Sequence, residues 1–196
     1  MMISQRELNW LNFYRASELH GGLVLGQLAL RVRDAYLVEQ LTRHSGEEVV
    51  HADLWTRAIV AVGGKPTPVR RTYQTRYAEA LRGVSSVFQV LALTQVFERR
   101  VYRHFIEHER RLGTHHVVRA TLRRMIEEEK DHLSWVRLWL DRQQVERGPA
   151  VKYLLAEYTA LDERIYSELV AEYGYAPTED AVRSLELHAV LGGVGG

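Results

Sequence analysis

The chain contains no cysteine. That removes disulfides, thiolate metal sites and thiol nucleophiles together, so a metal here must be held by nitrogen and oxygen alone. Neither sign of charge is in excess, since 26 Lys and Arg stand against 25 Asp and Glu. Proteins that neutralise nucleic-acid phosphates usually carry a basic surplus, so no nucleic-acid partner is expected. No signal-like leader and no long uncharged apolar span is visible, which makes a cytoplasmic protein without membrane contact the expectation. There is also no strand-like alternation, low-complexity tract or second domain. What is present is 196 residues, 46% of them hydrophobic, enough for one all-α domain with a substantial core.

Within that helical pattern one arrangement of charged residues occurs twice. Glu18 stands alone in an apolar helical run, and about thirty residues later comes Glu48-Val49-Val50-His51. Glu98 stands alone in a second run, followed after nearly the same interval by Glu129-Lys130-Asp131-His132. A helix puts residues three apart on one face, so each Glu-x-x-His points a carboxylate and an imidazole the same way. A single pair of this kind is a weak signal. Placement strengthens it, because the break at Arg33-Asp34 lies midway between Glu18 and Glu48, each leg being roughly 22 Å of helix. A tight turn there returns both glutamates to one height. The second half repeats the construction about Gly113-Thr114, a helix-ending glycine followed by a capping threonine.

The first helix is expected from the capping-box pattern Ser4-Gln5-Arg6-Glu7 to about Arg33, with Leu8, Leu11, Tyr14, Glu18, Leu25 and Leu28 on one stripe. Glu18 therefore breaks a core-facing stripe, and a bare carboxylate there is costly unless protonated, paired or bound to a cation. Gly21, Gly22 and Gly26 follow it. Each costs about 1 kcal/mol relative to Ala, for which close helix packing or room beside Glu18 is the compensation. The second helix runs from the N-cap Asp34 to Gly63-Gly64, with His44, one turn before Glu48, either a further ligand or a hydrogen-bonding neighbour.

The segment from Lys65 to Gly83 reads as a long crossover with a helical turn in it. At about 3.3 Å per residue it can span a bundle about 40 Å long, so that the second and third long helices run parallel. Arg70, Arg71, Arg76 and Arg82 are expected at its solvated surface. Ser86-Val87-Phe88-Gln89 opens the third long helix, whose His104 and His108 fall off the Glu98 face and are expected exposed. The fourth runs from Thr114 to about Gln143 and completes a bundle over residues 4–143. Trp55, Trp135 and Trp139 are core residues, or shields that keep water from a redox metal. A C-terminal extension over 149–191 is expected to hold a helix from Ala150 to Tyr173 and a shorter one from Thr178 to Leu191, before a glycine-rich end.

Four carboxylates and two imidazoles at one height can hold two divalent first-row metals, with bridging carboxylates balancing the charge and positions left open for oxygen or peroxide. Glu18, Glu48, His51, Glu98, Glu129 and His132 are that candidate set. Tyr14 and Tyr102, one turn from Glu18 and Glu98, are candidate proton donors or redox groups beside it.

These residues resemble the ferritin-like di-iron carboxylate superfamily, in which two helices each give a Glu and two others each give Glu-x-x-His. Glu48 to Asp53 and Glu128 to Trp135 are similar to helices B and D of bacterioferritins and rubrerythrins. The resemblance covers about Ser4 to Gln143 and implies a ferritin-like four-helix bundle with two iron ions, or manganese or mixed metal. Val49 stands where bacterioferritins carry a haem-ligating Met, so no haem is expected. The cysteine-ligated iron module of typical rubrerythrins is impossible in this chain. The implied function is a non-haem di-iron oxidoreductase using oxygen or peroxide on a small-molecule substrate. The alternatives are a ferroxidase for iron storage or detoxification taking Fe(II), and an inactive metal-binding interaction bundle. A homodimer is compatible with any of these.

Overall fold

The computed structural model describes residues 3–81, 84 and 86–174. Among the described residues the chain is all-helical, with α1 (Gln5–Ala29), α2 (Ala35–Ala61), α3 (Tyr73–Ala80), α4 (Val87–Arg110), α5 (His116–Arg147) and α6 (Ala150–Tyr173). None of these helices is long and apolar enough to cross a membrane.

Side-chain caps start the helices by satisfying N–H groups that have no partner within the helix. Ser4 Oγ accepts from the Glu7 N–H at 3.1 Å, and Asp34 Oδ1 from the Leu37 N–H at 2.9 Å. Ser86 and Gln89 form a complete capping box. The box expected at Ser4 is only half made, because the Glu7 carboxylate turns to His108 Nε2 at 3.4 Å. At α5 the cap is His115, whose Nδ1 accepts from the Val117 N–H. The expected cap, Thr114, instead donates its hydroxyl to the His108 carbonyl. Helix α1 stops at Ala29, short of Arg33, and α5 continues to Arg147, beyond Gln143.

Glycines set the approach of α1 to α2. A Cβ on Gly22 would lie 3.0 Å from the Ser45 carbonyl oxygen, and one on Gly26 would lie 2.9 Å from Ser45 Oγ. The Ser45 hydroxyl donates to the Gly22 carbonyl at 2.7 Å, so these two glycines let the backbones close together. Gly22 against Ser45 and Gly64 against Leu8 make α1 and α2 antiparallel. Arg123 to Glu109 and Arg119 to the Arg111 carbonyl make α4 and α5 antiparallel. His51 to Glu128 and His132 to Glu47 do the same for α2 and α5, leaving α2 and α4 parallel as the crossover requires.

Two apolar clusters fill the interior. One gathers Tyr14, Trp55, Val101 and Met125, and the other Leu25, Leu41, Val96 and Trp135. Along α1, α2, α4 and α5, Glu18, Glu48, Glu98 and Glu129 each fall between a residue of the first cluster and a residue of the second. A polar layer is thereby sandwiched between two greasy ones.

Helix α6, which matches its expected span, packs mainly on α4 and overturns two expectations. His104 and His108 are buried, not exposed, because α4 covers one face with α1 and another with α6. His104 Nε2 and His108 Nδ1 lie 3.2 and 3.0 Å from the Tyr14 hydroxyl, and the His104 ring packs on Trp10 and Tyr166. Arg76 is buried instead of solvated, because it reaches under α6 to Glu172 at 2.5 Å. Arg70 and Arg71 are exposed as expected, while Arg82, the helix expected over 178–191 and the glycine-rich end lie outside the described residues. The crossover carries a full helix, α3, where a turn is expected.

Candidate metal centre

Each of the six residues comes from a helix whose backbone is already committed to packing, so the side chains have one direction to take. Glu18 (α1), Glu48 and His51 (α2), Glu98 (α4), Glu129 and His132 (α5) are all at most 3% exposed. Ligand atoms of Glu48, His51, Glu129 and His132 lie within 4.8 Å of one another, as do those of His44, Glu48, Glu98 and His132. His132 Nδ1 is 3.3 Å from Glu48 Oε1 and 3.2 Å from Glu129 Oε2. His51 Nδ1 is 3.4 Å from Glu129 Oε1 and 4.0 Å from Glu18 Oε2. Glu48 Oε2, Glu129 Oε1 and His51 Nδ1 are buried without a hydrogen-bond partner. Lone pairs left bare at the centre of a polar layer are costly, and cations there would take up all three. The nitrogen and carboxylate donor set suits divalent first-row metals.

Both histidines turn Nδ1 inward, and their outer nitrogens carry the second half of the design. His51 Nε2 donates to Glu128 at 2.9 Å and His132 Nε2 to Glu47 at 3.1 Å. Each carboxylate comes from the opposite helix and immediately precedes a glutamate of the set. An outer carboxylate fixes the imidazole tautomer with Nδ1 free for a metal and makes that nitrogen more basic. Sequence reasoning that looks for Glu-x-x-His misses Glu47 and Glu128, although the longer repeat Glu-Glu-x-x-His is present at both places. Glu128→Ala should weaken metal binding by about 10–100-fold, measured by competition with a chromophoric chelator; an unchanged affinity would deny the residue this role.

His44 is buried at the edge of the set, its Nε2 3.0 Å from Glu48 Oε1 and 3.4 Å from Glu98 Oε1. Burial opposes charging this ring and the two carboxylates favour it, with a net upward shift. Geometry limits that shift, because the Trp135 indole N–H donates to His44 Nδ1 at 3.2 Å, and a cationic ring would set N–H against N–H. The ring is therefore neutral, with its proton on Nε2 facing the carboxylates. His44 is a hydrogen-bond donor to the set and has no free lone pair for an ion. Trp135 is the group that makes it so.

Without cations the cluster holds protons in their place. Burial raises Glu18 well above the usual carboxylate range, and the charges of Glu48 and Glu129 raise it further. Burial, with repulsion from Glu129, lifts Glu98 to about 7. For Glu129 burial is overcome by charge and hydrogen bonding from His132, which hold it at about 2. Glu48 is likewise held low against burial, by bonds from His132 and His44. His132, against its own burial, is pushed up to about 12 by Glu129 and Glu48. Metal ions binding here would have to displace these protons, so their affinity would rise with pH. For Glu98 the window runs up to about 7, and each displaced proton contributes about tenfold per pH unit. Zinc titrations between pH 5.5 and 7.5 read this slope; a flat profile would show that no raised carboxyl is a ligand. Comparing metal-free with loaded protein at each pH cancels the buried His104 and His108, whose lowered pKa values act the opposite way.

The two tyrosines are placed differently from the six. Tyr14 bonds to His104 and His108 and is separated from Glu18 by a void of about 10 Å³ that Ser17 also lines. Tyr102 is half-buried, where all six are buried. Trp55 and Trp135 are buried and Trp139 is partly buried, so the first two close the layer above and below.

Comparison of the chain with protein-family descriptions, with curated proteins and with solved structures found no match.

Proposed function

We propose that this protein is a ferritin-like di-metal carboxylate oxidoreductase, holding two divalent ions, iron first among them, and using dioxygen or peroxide to oxidise a small organic molecule. One observation carries the reading. Six buried side chains able to hold metal converge from four helices, and three of their atoms have no hydrogen-bond partner. Glu18, Glu48, His51, Glu98, Glu129 and His132 would hold the ions, Glu48 and Glu129 being the carboxylates grouped with both histidines.

Bound iron would supply the electrons and a Lewis-acidic face for the oxidant. The chain's own residues do the rest. Glu18 and Glu98, whose pKa values are raised while no cation is bound, hold the protons that incoming ions would displace. His44 donates to Glu48 and Glu98 and fixes their orientation. Trp55, Met125 and Leu122 on one side and Trp135 and Val136 on the other exclude water.

Iron storage is the alternative that the same ligands allow. An apolar cavity of about 340 Å³ reaching Glu48 and Glu98 favours an organic substrate over an iron mineral. Protein loaded anaerobically with Fe(II) and mixed with hydrogen peroxide should oxidise one pair of iron atoms per chain, far faster than Fe(II) in buffer. Oxidation at the buffer rate contradicts the redox reading, and uptake of many iron atoms per chain would favour storage.

A further inference from the structure

The cavity beside the metal centre has features that neither packing nor metal binding requires. It lies between α1, α3 and α4, its walls built by Val24, Leu25, Leu81, Leu93 and Phe97 and its floor by Glu48 and Glu98. Gly21 separates wall from floor. A Cβ at this position would come within 3.2 Å of Glu48 Oε2 and 3.3 Å of Gln74 Nε2, so the missing side chain is what leaves the carboxylate edge open to the space. Gly21 thus differs from Gly22 and Gly26, whose neighbours all belong to α2, in meeting α3 as well through Gln74.

Gln74, from the short crossover helix, gives the cavity a direction. Its Nε2 donates to the Ser17 carbonyl at 3.0 Å, which fixes the amide and leaves Oε1 as the remaining acceptor. That oxygen is buried and has no partner. A second space of about 350 Å³ shares Val24, Val84 and Val90 with the first and leads outward past His20 and Arg31.

A cavity with apolar walls prefers apolar guests to water, and one unpaired acceptor on such a wall selects a guest with a matching donor. We infer that the cavity is the substrate site. It takes an apolar organic molecule carrying one N–H or O–H group for Gln74 Oε1, and presents the end of that molecule to Glu48 and Glu98. At roughly 30 Å³ for each water-sized group, the volume holds about ten non-hydrogen atoms. As a substrate site the inference rests on the di-metal reading; as a binding site it stands apart from it.

The test uses indole and indene, the second an isostere of the first without the N–H, in titration calorimetry on metal-loaded protein, with metal content counted on the same samples. Both should bind wild type, indole about tenfold tighter, the worth of one hydrogen bond. Leu93→Trp fills the cavity from α4 and Ala78→Phe from α3. Each should weaken both ligands at least tenfold while metal content stays at the wild-type value. Gln74→Leu should erase the preference for indole and leave indene unchanged. Wild type that holds its ions and binds neither ligand overturns the cavity proposal and leaves the metal reading intact. Undiminished affinity in both cavity-filling variants overturns it too. Ligand binding that obeys the variants in protein unable to hold two ions supports the cavity and defeats the metal reading.

Discussion

Glu48→Ala should leave the purified protein with at most one of two metal ions per chain, and His132→Ala should do the same. Glu48 lies close to Glu98 and His132 on one side and to His51 and Glu129 on the other, so its loss would be felt across the whole set. Oε1 sits between His44 Nε2 and His132 Nδ1 at 3.0 and 3.3 Å, and the carboxylate also interacts with Glu18. Alanine removes the negative charge that most directly offsets a cation and leaves the imidazoles without an anionic neighbour on that side. Repulsion between the two ions would then be countered by Glu129 alone from the central pair. Elemental analysis after loading with Fe(II) or zinc gives the count, and far-UV circular dichroism shows whether the helices persist. A variant that keeps both ions and its helices would remove Glu48 from the site.

The second large effect lies away from the candidate metal centre. Arg100 reaches from α4 to Asp162 on α6 at 2.7 Å and also bonds Glu163, and Tyr77 of α3 donates to Asp162 at 2.5 Å. The Arg100 guanidinium also lies 4.3 Å above the Tyr166 ring. The two partners respond to pairing differently. Burial opposes the charge on Arg100, yet Asp162 outweighs it and raises the pKa. Asp162 is raised as well, because burial there outweighs the help of Arg100 and Tyr77. The pair as a whole therefore adds little net stability, but breaking it is expensive, since a buried cation loses its buried counter-charge. Asp162→Ala should cost about 3 kcal/mol, the lower end for a broken buried pair because Glu163 remains. In a chain of this size that lowers the melting temperature by roughly 6–12 °C. Arg100→Met combined with Asp162→Leu should recover most of the loss. A shift below about 2 °C for Asp162→Ala would mean that α6 is not held by this network.

Much of this architecture is legible in the sequence because it is local. Ser4, Asp34 and Ser86 cap helices whose apolar periodicity already marks their spans, and Gly148-Pro149 separates α5 from α6. The gathering of Glu18, Glu48, His51, Glu98, Glu129 and His132 is legible from equal spacing about two turns, a long-range fact written as a local one. What escapes has two buried sides. His104 and His108 look solvent-facing when α4 is given a single inner stripe, and only the docking of α6 buries them. Arg76 looks solvated because its partner Glu172 lies nearly a hundred residues away. Glu47 and Glu128 escape because each faces across to the other hairpin, where pairing depends on how α2 crosses α5. Gln74 escapes because nothing in the crossover's composition says that a helix there will close a cavity.

The central claim is that two cations sit in the polar layer between the apolar clusters. Anomalous diffraction from crystals grown with Fe(II) or zinc measures this directly. Two peaks about 3.5–4 Å apart, one against His51 Nδ1 and the other against His132 Nδ1, with Glu48 and Glu129 between them, is the expected result. No peak in that layer, or metal bound only at surface carboxylates, would contradict it.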